Sequence, residues 1–127
     1  MEHKVVIGGR LDNLNDYTRA CRENRYKGNN LKHDNQKICE VCIKQQLRKV
    51  RIDSPVKLHF AWYEKDKKRD LDNVSSFGRK VIQDALVVCG VLKDDGWNCI
   101  TGFTDLFYID KNNPRIEVVI EVGDAGG

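Results

Sequence analysis

Residues 56–90, VKLHFAWYEKDKKRDLDNVSSFGRKVIQDALVVCG, contain a strand pattern followed by a helix pattern. In VKLHFAWY (56–63) every second residue is apolar, which is typical of a strand with one buried face. After the basic run, apolar residues recur every three or four positions and predict a helix. We expect Asp72 to be its N-cap and Gly90 to end it. The predicted buried stripe is Val74, Phe77, Val81, Ala85 and Val88.

Three further segments have strand patterns. HKVVIGG (3–9) is apolar and β-branched and predicts a first strand. Ile100–Ile109 and RIEVVIEV (115–122) predict two strands after the central helix. KNNP (111–114) has the composition of a hairpin-type loop and would join these two strands.

The region before residue 56 is mainly helical by its pattern. HDNQKICEVCIKQQLRKV (33–50) has an apolar stripe and predicts a second main helix, with Asp34 or Asn35 as its N-cap. The segment LNDYTRACREN (14–24) favours an extra helical turn near Tyr17. The Asn-rich stretch from residue 24 to 30 predicts a loop.

This element order, β-α-β-α-β-β, predicts an α/β (α+β) fold with a mixed sheet of about four strands and two main helices. A chain of 127 residues is long enough for one domain with its own core. We expect the domain to span residues 1–122 and the tail GDAGG (123–127) to be disordered.

Composition indicates a cytoplasmic protein. No leading stretch resembles a secretory signal, and the longest apolar run, ALVVCGVL (85–92), is too short to cross a bilayer. Five cysteines form no regular framework, which favours reduced thiols. We therefore expect no membrane partner.

Positive charge is concentrated in two segments although the net charge is only +3. Residues 19–51 contain ten Lys or Arg residues against three acids, and a second cluster consists of Lys65, Lys67, Lys68 and Arg69. Such patches suit a phosphate-rich partner. Solvated helix faces are the alternative explanation.

Two pairs of aspartates flank the predicted central helix. Asp70 and Asp72 precede it, and Asp94 and Asp95 follow it. In an extended Asp-x-Asp segment both carboxylates point the same way, so they could share one ion. Mg²⁺ prefers such oxygen ligands. Helix capping and turn formation are the alternative roles of these residues.

The segments KRDLDNV (68–74), GRKVIQDAL (78–86) and GVLKDDG (90–96) together resemble the RusA-type Holliday junction resolvases, especially their phage and prophage branch. More loosely, the similarity extends over most of the chain. It implies a small, dimeric, Mg²⁺-dependent endonuclease that cuts four-way DNA junctions symmetrically in recombination and repair. Mn²⁺ is the expected substitute ion.

The resemblance also implies roles for individual residues. The metal-binding aspartates of the family correspond to Asp70, Asp72 and Asp95, and its catalytic lysine corresponds to Lys80. Some members place this lysine one helical turn nearer the aspartates, where this chain has Ser76. Asp94 and Asp84 are expected beside the site, although an i, i+4 surface pair between Lys80 and Asp84 is an alternative role for the lysine.

The basic clusters would bind the DNA backbone. The expected contacts are Arg25, Lys27, Lys32, Lys67, Lys68 and Arg69. Tyr26, on the predicted loop, would stack on an unpaired base or pack locally. Trp97 would stack in the same way or close the core beneath Asp95.

Two alternative functions follow from the same residues. A non-catalytic accessory protein for branched DNA would keep the fold without the chemistry. A zinc-binding module would use Cys21, His33, Cys39 and Cys42. Cys39 and Cys42 lie on the apolar side of a predicted helix and no second CxxC is present, so we favour packing over metal binding.

Overall fold

A computed structural model describes residues 1–123 of the chain. The described part contains three helices and four strands in the order β1 (Glu2–Gly8), α1 (Leu14–Glu23), α2 (Arg25–Gln46), β2 (Val56–Glu64), α3 (Leu71–Val88), β3 (Ile100–Ile109) and β4 (Arg115–Val122).

The four strands form one mixed sheet in the order β1-β4-β2-β3. Strand β4 pairs antiparallel with both β1 and β2, whereas β2 and β3 run parallel. A parallel pair needs a crossover connection, and helix α3 provides it. The sheet therefore places the start of α3 at one end of β2 and the loop before β3 at the other.

Helix α3 packs on β2 through a tightly fitted contact. Phe60 and Trp62 of β2 are buried, and their rings stack on each other. Gly78 of α3 lies directly on the Trp62 ring, because a Cβ atom built at this glycine would be 2.9 Å from that ring. The absent side chain lets the helix approach the sheet closely.

The predicted class and all four strands are confirmed, with β3 and β4 at the expected residues. Where an extra turn near Tyr17 was expected, α1 is a helix of 10 residues that begins with a capping box between Asn13 and Asp16. Gly90 follows the end of α3 with a φ of 77°, a conformation that glycine adopts readily.

Four local predictions are wrong. The stretch 24–30 is not a loop, because α2 already begins at Arg25, with Asn24 as the N-cap in place of Asp34 or Asn35. KNNP (111–114) does not close a hairpin, since β2 lies between β3 and β4. Val88 is exposed, because the buried side of α3 ends with Ala85 and Leu86 and Val88 lies off it.

Gly123 extends the pairing of β4 with β2, because its backbone N–H donates to the carbonyl oxygen of Pro55. The rest of the predicted disordered tail, residues 124–127, lies outside the described residues. None of the helices in residues 1–123 is long and apolar enough to span a bilayer.

Candidate active site at the start of helix α3

Asp70 and Asp72 stand at the N-terminus of α3. Asp70 is the N-cap residue, with an extended backbone, and its side chain makes no capping hydrogen bond. Asp72 lies in the first helical turn, so the predicted N-cap at Asp72 and the extended Asp-x-Asp geometry are both wrong. Both residues are exposed, and among residues 1–123 neither carboxylate takes part in a salt bridge.

A buried ion pair anchors the segment that carries these aspartates. Glu64, at the end of β2, accepts from Arg10 at 3.3 Å and lies 3.4 Å from the guanidinium of Arg69. Arg69 also donates to the carbonyl oxygen of Leu11 at 2.8 Å. Its side chain is mostly buried. The guanidinium group of Arg69 is therefore held inside the protein next to Asp70, and is not exposed on the surface as a DNA contact would be.

The lysines before Arg69 face solvent. Lys67 and Lys68 are exposed on the loop between β2 and α3. The backbone N–H of Lys68 donates to Asp66 at 3.0 Å and lowers the pKa of that carboxyl group. This turn presents two ammonium groups within three residues of Asp70.

A cleft of about 360 Å³ opens beside Asp70. One wall comes from the β2–α3 segment, and the other is formed by Phe107, Tyr108 and Ile109 of β3. The cleft therefore has charged residues of both signs on one wall and apolar residues on the other.

Lys80 joins two of the other predicted site residues. Its ammonium group lies 2.5 Å from the carboxylate of Asp95 and 3.0 Å from that of Asp84. Asp84 also lies 3.3 Å from Lys32 of α2. The hydrogen bond to Asp95, followed by that to Asp84, raises the pKa of Lys80, and the same Lys80 bond lowers the pKa of Asp95. Lys80 is therefore a charged ammonium, and Asp95 is a carboxylate that it neutralises.

Asp94 has a different contact from its neighbour. Its carboxylate accepts from the backbone N–H of Gly96 at 2.6 Å and closes the turn after α3. Trp97, which follows Gly96, is 96% exposed. The expectation that Trp97 closes the core beneath Asp95 is wrong, because the turn carries its side chain into solvent.

The predicted DNA contacts of the first basic cluster lie on a helix. Arg25 and Lys27 are in the first turn of α2, and Lys27 pairs with Glu23 at 2.6 Å. Tyr26 lies between them and is 73% exposed. A rigid helical turn, rather than a flexible loop, thus presents these side chains.

The structure places the predicted ligands Asp70 and Asp72 at the same end of α3 but keeps Asp95 apart from them. Within residues 1–123 no three His, Cys, Asp or Glu side chains form a group that could hold a metal ion. Asp70, Asp72 and Asp95 therefore form no such group. Asp95 is bound to Lys80, and Lys80 lies eight residues, about 12 Å of helical rise, beyond Asp72. The four residues of the zinc alternative form no such group either. Cys39 packs in the core, where burial raises its pKa to about 12.

The donor chemistry at the start of α3 fits a hydrated Mg²⁺ ion. This ion usually keeps several waters and is bound by one or two carboxylates together with substrate phosphates. Asp70 and Asp72 provide two such oxygen donors in an exposed position.

Two charged residues near the site escaped the sequence interpretation. Glu64 occupies the fifth position of the buried face of β2, and a charge at an apolar position signals a partner elsewhere in the chain. Asp105 of β3 binds Arg79 at 2.7 Å and the Trp62 indole N–H at 2.8 Å. It ties β3 to α3, and no local pattern around residue 105 indicated this.

Comparison with known proteins agrees with the resemblance seen in the sequence motifs. The family model of the endodeoxyribonuclease RusA matches residues 13–121, which include every helix and strand except β1 and the last residue of β4. A search of curated proteins finds no match. Since the family model covers most of the chain, this protein belongs to the RusA endodeoxyribonuclease family.

Proposed function

We propose that this protein resolves Holliday junctions and related branched DNA by metal-dependent cleavage of phosphodiester bonds, in recombination and repair. Mg²⁺ is the proposed ion, with Mn²⁺ as a substitute. The observation that carries the proposal is the position of Asp70 and Asp72: exposed, without a salt bridge among the described residues, and directly after Lys67 and Lys68 in a chain of a nuclease family.

Asp70 and Asp72 would hold the ion. A divalent metal bound there would activate water and neutralise charge that develops on the phosphate. The free N–H groups and positive dipole end of α3 lie at the same place, and both favour an anionic group. The helix start therefore suits a scissile phosphate as well as the ion.

Lys67 and Lys68 would hold the DNA backbone next to the cut. Arg25, Lys27 and Lys32 form a second proposed contact on α2. Lys27 and Lys32 now pair with Glu23 and Asp84, so phosphates would compete for both ammonium groups. For Arg69 the proposed role is indirect, since its buried pair with Glu64 positions the segment that carries Asp70.

Lys80 and Asp95 would act as a pair. The Lys80 ammonium neutralises Asp95 when no other cation is near. A divalent ion would compete with Lys80 for this carboxylate and release the ammonium toward phosphate. Asp95 is the proposed third metal-binding residue, and because it lies apart from Asp70 and Asp72, this role requires the loop after α3 to move toward the start of the helix when the ion binds. Asp94 would hold the turn, and Asp84 would hold Lys80 from the other side.

Two such sites in a cytoplasmic homodimer would make the paired nicks that resolve a four-way junction. Each protomer would supply one cluster of aspartates and cut one strand. The two-fold symmetry of the dimer would match the symmetry of the junction.

A non-catalytic protein that binds branched DNA is the second candidate function. It is favoured by the separation of Asp95 from Asp70 and Asp72 and by the neutralisation of Asp95 by Lys80. Such a protein would bind junctions without cutting them.

One experiment separates the two candidates. A synthetic four-way junction and a linear duplex of the same sequence are incubated with the protein, with and without Mg²⁺. We expect symmetric cleavage of the junction in Mg²⁺ and little cleavage of the duplex. Tight junction binding without any cleavage would support the accessory role, and equal cutting of both substrates would contradict the preference for branched DNA.

A further inference from the structure

Strand β3 forms one edge of the sheet, and its outer backbone groups are unprotected. Exposed edge strands of this length pair readily with other chains, so proteins usually block them. The opposite edge is blocked: the Gln46 side chain donates to the carbonyl oxygen of Val6 and accepts from its N–H, both at 2.7 Å. In the described part of the chain no side chain makes such a bond to β3.

The exposed edge is also apolar. Four large apolar side chains of β3 are about half exposed, with Leu106 the most exposed at 58%. The register with β2 places Phe103 and Ile109 on the helix-covered face, and Leu106 and Tyr108 on the open face. Apolar surface therefore borders the unpaired backbone on both faces of the sheet.

The charge of this edge suits a second copy of the same chain. Asp105 is the one charged residue between Ile100 and Ile109, and Arg79 and the Trp62 N–H already satisfy its carboxylate. Two copies of a neutral apolar strand do not repel each other. An antiparallel pair about a two-fold axis would make one patch complementary to itself.

We propose that β3 is the homodimer interface and that it pairs antiparallel with β3 of a second copy, with the two-fold axis at Leu106. In an antiparallel pair, directly opposed residues have their side chains on the same face of the sheet. The two-fold axis must therefore pass through a residue that opposes its own copy, and not between two residues. An axis at Asp105 would oppose two carboxylates. An axis at Leu106 opposes the two leucines and sets Phe103 against Ile109 of the second copy.

This interface would join the two proposed active sites. Phe107, Tyr108 and Ile109 line the cleft that also contains Asp70. Pairing along β3 would therefore cover the apolar side of each cleft and hold the two aspartate pairs at a constant separation. The requirement for two sites rests on the proposed function, whereas the interface itself rests on the strand edge.

Sedimentation velocity on the full chain tests the interface. We expect a dimer for the unsubstituted protein and a monomer for Leu106→Arg, because an arginine pair on the axis would place two like charges in contact. Val41→Arg is the matched control, since Val41 is 49% exposed on α2, away from β3. This control should remain a dimer. Circular dichroism checks that each variant is folded.

A disulfide gives a second measurement that does not depend on disrupting the dimer. Opposed Cα atoms in an antiparallel pair are about 4.5–5.5 Å apart, within the range that a disulfide spans. Mild oxidation of Leu106→Cys should link position 106 of one copy to the same position of another, as peptide mass mapping would show. Val41→Cys should form no such link.

A monomeric unsubstituted protein would overturn the proposal, as would a folded Leu106→Arg variant that stays dimeric. If Leu106→Arg does not fold, the absence of a disulfide between the two copies of Leu106→Cys overturns it. None of these measurements involves cleavage. A dimer without activity would contradict the proposed function alone, and an active monomer would contradict the interface alone.

Discussion

At the level of single residues, Asp70 and Asp94 show how the same amino acid takes different roles on the two sides of α3. Asp94 has the contact expected of a turn aspartate, since it accepts from the N–H of Gly96. Asp70 occupies the N-cap position but makes no capping bond. A structural role therefore accounts for Asp94 and not for Asp70, which remains available to a ligand.

Asp70→Asn should abolish cleavage and leave the fold intact. Asn is as good an N-cap as Asp, so the free energy of unfolding should change by less than about 0.5 kcal/mol. Loss of a negative charge facing phosphate should leave junction affinity unchanged or higher. Single-turnover cleavage, gel shift and thermal unfolding measure the three effects. Asp53→Asn, on an exposed pair with Lys93, is the control and should cut normally. Loss of binding with retained turnover would contradict the role of Asp70.

Asp95→Asn and Asp94→Asn should differ in their effect on activity. Asp95→Asn removes the carboxylate that pairs with Lys80 and that the proposed metal site would use as its third ligand. Nearly all activity should therefore be lost. Asp94→Asn keeps the acceptor oxygen of the turn and should cost about 10–100-fold, as losses behind a metal site usually do. Single-turnover rates on one junction compare them. If Asp94→Asn were inactive and Asp95→Asn active, the metal-binding role would belong to Asp94 instead of Asp95.

At the level of elements, strands were predictable and long-range pairing was not. The alternation in 56–63 and 115–122 identifies strands because one face of each is buried. The early start of α2 was missed because Gly28, Asn29 and Asn30 have low helix propensity. Packing overrides that propensity: a Cβ at Gly28 would be 2.5 Å from the Cys21 sulfur, so the glycine lets α1 and α2 meet.

The false hairpin at residues 111–114 has a similar cause. The turn does form, with the N–H of Asn113 bonded to the Asp110 carbonyl at 3.3 Å. Turn chemistry is local, however, and does not reveal that β2 pairs with both flanking strands. The contact between Lys80 and Asp95 was likewise not predictable as geometry, because it depends on how the loop after α3 folds back along the helix.

Gly78→Ala should destabilise the contact between α3 and the sheet. The added methyl group would meet the Trp62 ring at 2.9 Å, and overpacking of this kind costs about 1–3 kcal/mol. Gly8→Ala is the control, because a Cβ there meets no atom within 4 Å. Urea unfolding of both variants measures the difference. Equal stability of the two would mean that α3 and Trp62 are less tightly packed.

Alanine substitution of both Lys67 and Lys68 should weaken binding to every DNA shape. Each phosphate contact contributes nearly one unit to the salt dependence of the affinity, so the slope should fall by up to about two units. Lys57→Ala combined with Lys111→Ala removes the same charge from other exposed positions and serves as the control. Binding is measured by fluorescence anisotropy at several salt concentrations. An unchanged slope would show that Lys67 and Lys68 do not touch the backbone.

At the level of the whole molecule, the sheet order explains how distant sequence segments serve one surface. The parallel β2–β3 pair places Asp70, immediately before α3, beside the C-terminal half of β3. The same edge of the sheet remains open to a second copy. Family membership, the two exposed aspartates and this edge are all consistent with the proposed arrangement, a symmetric nuclease with two metal-dependent sites.

Metal removal and restoration tests the central claim most directly. A labelled four-way junction is incubated with the unsubstituted protein in Mg²⁺, in Ca²⁺ and in excess EDTA, and Mg²⁺ or Mn²⁺ is then added back. Asp72→Asn is treated in parallel. We expect cleavage in Mg²⁺ or Mn²⁺, weak cleavage in Ca²⁺, none in EDTA, full recovery on restoration and no recovery for Asp72→Asn. Robust cutting in excess EDTA, or recovery of Asp72→Asn to the unsubstituted rate, would contradict a metal site at Asp70 and Asp72.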